Sequence, residues 1–295
     1  MKIRELYRGE GLPVLSLEVF PPSRSYPLES VFTTLDGLRE LEPAFISVTY
    51  GAASGERERT VEITSRILKD YSILPLAHLT CLGHTRSEIA EKLNELSASG
   101  IENILALRGD SPEDDPGFDP AAGDYRYAYG LIEEIRHRGD FGIVAAAYPE
   151  GHIECPTVSD SHLHLRRKID AGAEVLITQL FFDNRIYFDF MDRIAALGID
   201  VPVIPGIMPV LNSKQIKRII YLCGVSIPAR ILKLLDRYGK NPEDMEKAGI
   251  DYAVEQVSGL IESGVPGIHL YTMNRISQIT EIACRTGLAG SGSDA

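Results

Sequence analysis

A regular alternation of strand-like and helix-like segments constrains the fold of this chain more than any other feature. Short runs of apolar and β-branched residues recur at intervals of roughly 30 residues, the length of one strand–helix unit. Most of the runs are continuous rather than alternating in polarity, as strands buried on both faces are. The eight runs are Leu15–Phe20, Phe45–Thr49, Leu76–Thr80, Asn103–Leu107, Ile143–Ala147, Val175–Leu180, Val201–Met208 and Gly267–Tyr271.

Helical patterns fill the intervals between the runs, because apolar residues there recur at spacings of three and four. The third pattern follows a capping sequence in which Thr85 precedes Glu88 by three residues. The patterns before the seventh run are Val31–Leu41, Arg57–Lys69, Ser87–Ser99, Tyr127–Arg138, Leu163–Ala171 and Tyr187–Leu197. The longer interval before the eighth run holds three more, at Lys214–Leu222, Pro228–Leu235 and Glu243–Ser263.

Eight strands that alternate with helices predict an α/β protein, a (β/α)8 TIM barrel with extra helices between strands 7 and 8. We expect residues 1–288 to form this single domain and the Gly/Ser-rich residues 289–295 to form a disordered tail. A doubly wound open sheet is the alternative, but it usually carries a glycine fingerprint after its first strand. The chain has Glu-Val-Phe-Pro-Pro there, at residues 18–22, which favours the barrel.

Composition excludes several classes of function. A net charge of −12 without a basic run argues against nucleic-acid binding, because phosphate neutralisation dominates that affinity. No apolar stretch reaches the ~18 residues that span a bilayer, and residues 1–20 lack the apolar core of a secretory signal. The four cysteines stand apart without a CxxC pair, which predicts reduced thiols in a cytoplasmic protein. Base rates favour a homo-oligomer.

Polar residues gather at the ends of the predicted strands, where barrel enzymes place their functional groups. Glu18 lies inside the first apolar run, and a buried glutamate must be paired, neutral or functional. We interpret it as functional. Arg108 and Asp110 follow the fourth run and fit either a simple ion pair or a site, with Gly109 between them allowing close approach of a ligand.

Other polar residues at the strand ends have two interpretations each. His78, Tyr50 and Tyr148 fit core packing when they are taken singly. Gln179 is harder to assign to the core, since an unpaired buried amide costs about 1–3 kcal/mol. The Arg-Arg-Lys sequence at 166–168 fits a solvated helix face or a source of charge for a phosphate.

A metal site is not expected. His162 and His164 lie two residues apart on a predicted helix, so their side chains do not share a face. No set of carboxylates stands at ligand spacing beside them. The residues by themselves therefore indicate a barrel enzyme with a buried acid, several hydrogen-bonding side chains, and basic side chains that could bind a polyanionic cofactor. Their spacing does not show which reaction the enzyme catalyses.

The strand-end segments, taken in order, resemble the methylenetetrahydrofolate reductase family in its short bacterial form. The match runs from Leu15 to Leu288, and the ordered set is highly specific although each segment alone is weak. The segments are 17–22 (LEVFPP), 47–52 (SVTYGA), 54–57 (SGER), 78–81 (HLTC), 106–110 (ALRGD), 147–152 (AYPEGH), 170–173 (DAGA), 177–182 (ITQLFF), 205–209 (PGIMP) and 271–275 (YTMNR).

The resemblance implies a flavin-dependent (β/α)8 barrel, with residues 1–288 as the FAD-binding catalytic domain. NADH or NADPH would reduce the bound FAD, which would then pass hydride to 5,10-methylenetetrahydrofolate and give 5-methyltetrahydrofolate in ping-pong fashion. Glu18 matches the acid that protonates the folate, and Asp110 matches a carboxylate near flavin and folate. The residues that match substrate positions are Glu18, Gln179, Gln215 and Arg275.

The same resemblance implies a set of residues that contact FAD, among which arginine and lysine would offset the pyrophosphate charge. The set is Thr49, Tyr50, His78, Arg108, Gly109, Asp110, Tyr127, Ala128, Tyr148, His152, His164, Arg167 and Lys168.

This chain departs from the family pattern near the adenosine end of the expected FAD site. The family usually has Asp where this chain has Ser161, and Cys155 stands where a small Ala is common. Two alternatives to the reductase stay open. One is a flavin-binding subunit that takes electrons from a partner protein. The other is a barrel lyase or aldolase with Glu18 as base, which would need a strand-borne lysine or a metal.

Overall fold

The computed structural model describes residues 1–9, 11, 13–22, 26–50, 56–111, 117–120 and 122–289. Three features of the sequence lie wholly or partly outside these residues. They are residues 51–55, which include parts of the second and third family segments, residues 112–116 and 121 in the stretch rich in Pro, Gly and Asp at 111–124, and residues 290–295 of the predicted tail.

The predicted (β/α)8 barrel is confirmed. Within the described residues, nine parallel strands form one sheet in the order β7-β6-β5-β4-β3-β2-β1-β9-β8. The strands are β1 Val14–Val19, β2 Phe45–Val48, β3 Leu74–Thr80, β4 Asn103–Leu107, β5 Gly142–Ala147, β6 Val175–Thr178, β7 Val203–Ile204, β8 Gly206–Ile207 and β9 Gly267–Tyr271.

The structure differs from the prediction at the seventh run, which is divided into β7 and β8 by Pro205. Proline has no backbone N–H and cannot continue the ladder as a donor. β7 therefore pairs only with β6, and β8 pairs only with β9. The Pro205 carbonyl accepts from the His269 N–H at 3.0 Å, so the break also marks the point where the chain changes partner. This switch closes the sheet into a barrel.

Helices follow the strands as predicted, including three between β8 and β9. The Thr85 side chain accepts from the Glu88 N–H at 3.3 Å, which confirms the predicted cap. Short 3₁₀ turns lie at Ile3–Tyr7 and Arg39–Leu41. The α-helices are α1 Glu29–Leu38, α2 Glu56–Tyr71, α3 Arg86–Ala98, α4 Ala128–Arg138, α5 Val158–Ala171, α6 Asn184–Ala196, α7 Ser213–Cys223, α8 Ala229–Tyr238, α9 Pro242–Glu262 and α10 Ile276–Arg285.

The interior of the barrel is apolar at its N-terminal end. Phe45, Leu76, Leu105 and Ile204 are buried together there, and Ile3 from the first 3₁₀ turn covers them from below. Side chains alternate between the two faces of a strand, so the residues next to these along each strand face outward. They belong to a separate cluster between the strands and the helices. One polar side chain is buried at this end, that of Asn103 at the start of β4, whose Oδ1 accepts from the Ile3 N–H at 2.8 Å.

Candidate active site

A polar cluster occupies the barrel interior directly above the apolar layer. Ser16 and Glu18 point inward from β1, because the alternate residues Leu15, Leu17 and Val19 pack outward in the core between strands and helices. His78 from β3 and His269 from β9 join them, and all four side chains are buried. Residues far apart in the sequence thus converge on one small space.

Glu18 lies between two imidazoles. Its carboxylate Oε2 is 3.4 Å from His78 Nε2 and 3.9 Å from His269 Nε2, and the residue is only 6% exposed. Burial lowers the pKa of His78 to about 4, although the neighbouring Glu18 opposes that shift. His78 is therefore neutral near pH 7, so Glu18 shares this contact with an uncharged ring. Neither imidazole Nε2 makes a hydrogen bond within the described residues.

His269 is a site residue that the sequence pattern does not identify. Its Nδ1 is 2.9 Å from Ser16 Oγ, which fixes the ring so that Nε2 faces Glu18. The available signal was its position two residues before Tyr271, which gives both side chains the same inward direction. Inside an apolar run, a single histidine otherwise looks like a core residue.

Two polar side chains beside this cluster, those of Tyr271 and the predicted Gln179, each make one hydrogen bond to the backbone. The Tyr271 hydroxyl donates to the Thr178 carbonyl at 2.6 Å, and burial raises the pKa of that hydroxyl well above its ordinary value. Gln179 Oε1 accepts from the Leu180 N–H at 2.9 Å. This bond holds the Gln179 side chain at the end of β6 and leaves its amide nitrogen for a ligand.

A cavity of about 330 Å³ opens at the same end of the barrel, between the ends of β4 and β5 and helices α4 and α5. Such a volume is in the range of small-molecule pockets. Seven of the predicted FAD-contacting residues line it. They are Arg108, Tyr127, Ala128, Tyr148, His152, His164 and Lys168.

Lys168 gives this cavity a half-buried positive charge. Its Nζ donates to the Ala146 carbonyl at 2.9 Å and lies 5.3 Å from the centre of the Tyr148 ring. No carboxylate within the described residues forms a salt bridge with it. Partial burial lowers its pKa to about 8, which still leaves the ammonium mostly charged at pH 7. A partly desolvated cation without a counter-ion is suited to an anionic ligand.

Arg108 brings a second cation to the same cavity. Of the two interpretations of Arg108 and Asp110, the simple ion pair is wrong, because Arg108 Nη1 pairs with Glu154 Oε2 at 2.5 Å. The buried Arg108 Nε has no partner within the described residues. Asp110 is exposed. Burial raises the pKa of the Tyr148 hydroxyl, and the negative charge of Asp110 adds to that shift. Gly109 has φ +85°, and a Cβ there would lie 2.9 Å from Thr80 Cβ, so this turn requires glycine.

Stacked aromatic rings form the far wall of the cavity. The Tyr127 ring is 4.5 Å from the His164 ring and 5.4 Å from the Tyr129 ring, measured between centres. The Arg167 guanidinium lies 5.7 Å from the centre of the Tyr129 ring. His164 Nδ1 is buried without a partner within the described residues. This wall combines a flat surface with a polar atom that a ligand can satisfy.

The remaining predicted residues lie at the same end of the barrel but do not line this cavity. Thr49 follows β2, and its carbonyl accepts from Thr60 Oγ1 at 2.9 Å, while Tyr50 packs 6.4 Å from the His84 ring. Gln215 binds the backbone of Pro209 and Leu211 at 3.1 and 2.9 Å and so holds the loop after β8. The exposed Arg275 precedes α10.

The described part of the chain also bears on metal binding and on membrane insertion. No group of three or more His, Cys, Asp or Glu side chains there has the arrangement of a metal site. Among the described helices, none has the length and apolarity needed to cross a membrane.

Comparison with known proteins agrees with this arrangement. A family model described as methylenetetrahydrofolate reductase matches residues 2–287. The 5,10-methylenetetrahydrofolate reductase of Pectobacterium carotovorum is 39% identical over 94% of this chain and 91% of that protein. The maize protein named methylenetetrahydrofolate reductase (NADH) 1 is 33% identical over 95% of this chain, which corresponds to 49% of the maize protein.

A solved structure shares the fold at low identity. It is an uncharacterized protein from Clostridium thermocellum that binds two copies of 5-methyl-5,6,7,8-tetrahydrofolic acid, with a TM-score of 0.62 and 16% identity over 97% of this chain and 98% of that one. At this identity the likeness shows the barrel fold alone. The family model and the sequence relatives, however, span nearly all of the chain, and the chain belongs to the methylenetetrahydrofolate reductase family.

Proposed function

We propose that this protein reduces 5,10-methylenetetrahydrofolate to 5-methyltetrahydrofolate with electrons from NADH or NADPH, using bound FAD. Family membership supports the reaction, and the maize relative's name supports NADH as donor. The observation that carries the proposal is the buried Glu18 with its two imidazoles, at the same end of the barrel as a cavity whose lining includes Arg108 and Lys168. An acid and an anion-binding pocket at one end of the barrel are what protonation of a folate near a dinucleotide requires.

The cavity residues fit FAD. The half-buried Lys168 and the Arg108 Nε, which has no partner within the described residues, are suited to the two phosphates. His164 Nδ1, likewise without a partner there, is suited to a polar group on the adenosine half. The residues that would hold FAD are therefore the predicted set that includes Arg108, Tyr148 and Lys168. When bound, FAD supplies hydride transfer between NAD(P)H and the folate.

Glu18 supplies the proton in this proposal. Glu18 is buried next to the neutral His78, so its carboxyl group is shielded from bulk water and can pass a proton to the substrate. The Ser16 contact orients His269, so this imidazole approaches Glu18 from the side of β9.

Substrate positions around Glu18 have separate tasks. The free amide nitrogen of Gln179 would donate to the folate ring, and the exposed Arg275 would pair with the glutamate carboxylate of the folate. Asp110 would favour a cationic folate intermediate through its negative charge. Gln215 would act through the loop that it holds at Pro209–Leu211.

The deciding experiment follows the absorption of the purified protein under anaerobic conditions. We expect a bound flavin spectrum, bleaching on addition of NADH, and recovery of the oxidised spectrum on addition of 5,10-methylenetetrahydrofolate. A protein that stays colourless with added FAD would contradict the proposal and favour the lyase or aldolase. Bound flavin that NADH does not bleach would favour a partner protein as electron donor.

Glu18→Gln separates the two halves of the reaction. Glutamine keeps the shape of the side chain but cannot supply the proton, so we expect reduction of flavin by NADH within about twofold of normal. Re-oxidation by the folate should slow by about 10²- to 10⁴-fold, the usual range for loss of a general acid. Stopped-flow absorbance measures each half separately, and a normal folate half-reaction would remove Glu18 from the mechanism.

A further inference from the structure

The turn after β9 is bonded to the end of the strand that carries Glu18. Thr272 Oγ1 donates to the Glu18 carbonyl at 2.6 Å, and the Thr272 N–H reaches the same oxygen at 3.3 Å. The Asn274 N–H in turn donates to Thr272 Oγ1 at 3.0 Å. The backbone of Glu18 is therefore tied to residues 272–274, and Thr272 is fully buried.

Asn274 extends this attachment beyond the last paired residue of β1. Its Oδ1 accepts from the Phe20 N–H at 3.0 Å, and its Nδ2 donates to the Phe20 carbonyl at 3.0 Å. One side chain thus binds both backbone groups of Phe20, as a neighbouring strand would. We call Thr272 and Asn274 together the β1 clamp.

The turn adopts an unfavourable backbone conformation to make these bonds. Met273 and Asn274 have φ values of 50° and 55°, in the left-handed region that non-glycine residues seldom occupy. Asparagine tolerates this region better than most residues, whereas methionine does not. Such a conformation persists only where surrounding contacts specify it, and it tends to occur at functional sites.

The side-chain contacts of Glu18 do not fix its carboxylate. Its separations of 3.4 and 3.9 Å from the two imidazole nitrogens exceed ordinary hydrogen-bond length. The direction of the carboxylate therefore depends on the backbone that carries it, and this backbone is bonded to the clamp on both sides of Val19. A displaced strand end would move the acid away from the substrate.

We propose that Thr272 and Asn274 are positioning residues, which hold the Glu18 carboxyl group in place for proton delivery to the folate. This inference rests on the proposed function, because it assigns the clamp to the acid of that reaction. Neither residue needs to touch the substrate or the cofactor.

Asn274→Gly tests the inference. Glycine adopts φ 55° without strain, so the variant removes the side-chain bonds to Phe20 and keeps the turn. We expect the folate half-reaction to slow by about 10- to 100-fold, as misplacement of a reacting group does. Reduction of flavin by NADH should stay within about twofold, and the pH profile of the folate half-reaction should shift, since the acid has moved.

Met273→Gly is the matched control. It gives the same turn the same added freedom one residue earlier, but it leaves every bond of Asn274 and Thr272 intact. The Met273 side chain is 43% exposed, so little packing is lost. We expect both half-reactions of this variant to match the unsubstituted protein. At the second clamp residue, Thr272→Val should slow the folate half-reaction, and Thr272→Ser, which keeps the hydroxyl, should restore it.

Three outcomes would overturn the inference. In the first, Asn274→Gly behaves like Met273→Gly. In the second, it lowers both half-reactions equally together with the unfolding temperature, which is a purely structural effect. Normal folate turnover in Glu18→Gln would refute the role of the acid itself and leave the clamp nothing to position. If Glu18→Gln is slow while Asn274→Gly is normal, the proposed function survives and the clamp alone fails.

Discussion

At the scale of single residues, Glu18 and His269 show what a sequence pattern can and cannot detect. A carboxylate within an apolar run is conspicuous because its burial is costly, so Glu18 was predictable. A histidine in the same setting is not, because a neutral imidazole is accepted in a protein core. Only the pairing of Ser16 with His269 across β1 and β9 brings that ring to the acid.

Arg108 illustrates the same limit for charges. The sequence places Asp110 two residues away, and local spacing favours neither a pair nor a site. The partner that the structure selects is Glu154, which is 46 residues distant in the loop after β5. Which charges meet depends on how neighbouring barrel loops fold over the strand ends, and a single sequence does not specify that.

Lys168 predicts how FAD affinity depends on pH. Burial lowers the pKa of this ammonium from its ordinary 10.5 to about 8 in the protein without ligand. Below that pH the charged group attracts the pyrophosphate, and above it the neutral amine does not. FAD affinity should therefore fall by about tenfold as the pH rises through 8, the loss expected for one charged hydrogen bond.

Fluorescence titration with FAD between pH 6.5 and 9.5 checks this prediction. In Lys168→Met the affinity should be lower at pH 7 and nearly independent of pH over this range. Arg166→Met is the control, since Arg166 lies two residues away on α5 and pairs with Asp170 at 2.9 Å. An unchanged pH dependence in Lys168→Met would show that another group titrates.

At the scale of elements, the strand–helix period predicted nearly every segment, and its one departure has a physical cause. The run from Val201 to Met208 reads as one continuous strand, because proline in an apolar run does not interrupt the hydrophobic pattern. In the barrel, Pro205 ends the pairing with β6, and the chain pairs with β9 from Gly206 onward. The closing of the sheet depends on pairing between distant strands, which a local pattern does not contain.

At Gly206, the closure of the sheet leaves no room for a larger side chain. A Cβ there would lie 2.4 Å from the Thr178 carbonyl and 2.7 Å from the Tyr271 ring. Gly206→Ala should therefore push β8 away from its neighbours and lower the free energy of unfolding by about 1–3 kcal/mol, the usual cost of overpacking. Tyr271 lies beside Glu18, so the folate half-reaction should slow as well.

Urea unfolding and the stopped-flow assay measure these two effects. Gly9→Ala serves as the control, because nothing lies within 4 Å of an added Cβ at that position. We expect the control to match the unsubstituted protein in both measurements. A fully stable and active Gly206→Ala protein would show that the barrel closes with more room than the structure gives.

At the scale of the whole molecule, the barrel separates stability from chemistry. Its interior is mainly apolar at the N-terminal end and polar at the C-terminal end, so the acid and the cations rest on a packed support. The chain carries a net charge of −12, yet the lining of the cavity at the C-terminal end includes Arg108 and Lys168. The overall charge argues against nucleic acid as a ligand, but it carries no information about this local reversal.

The proposed binding of FAD in this cavity predicts a change in the stability of the whole protein. A ligand that binds only the folded state raises the free energy of unfolding by about 2.7 kcal/mol at 100 times its dissociation constant. Flavin-free protein should therefore unfold at a higher temperature with FAD than without it. Riboflavin at the same concentration should have a much smaller effect, since it lacks the phosphates that Arg108 and Lys168 would bind.

Calorimetry of flavin-free protein with no ligand, FAD or riboflavin makes the comparison. The reason for expecting a difference is the half-buried Lys168, whose charge has no carboxylate partner within the described residues and would gain an ionic partner if pyrophosphate bound there. In Lys168→Met the effects of FAD and riboflavin should become more alike. Equal stabilisation by both ligands in the unsubstituted protein would mean that the two cations do not bind the phosphates and that this cavity serves another part of the ligand.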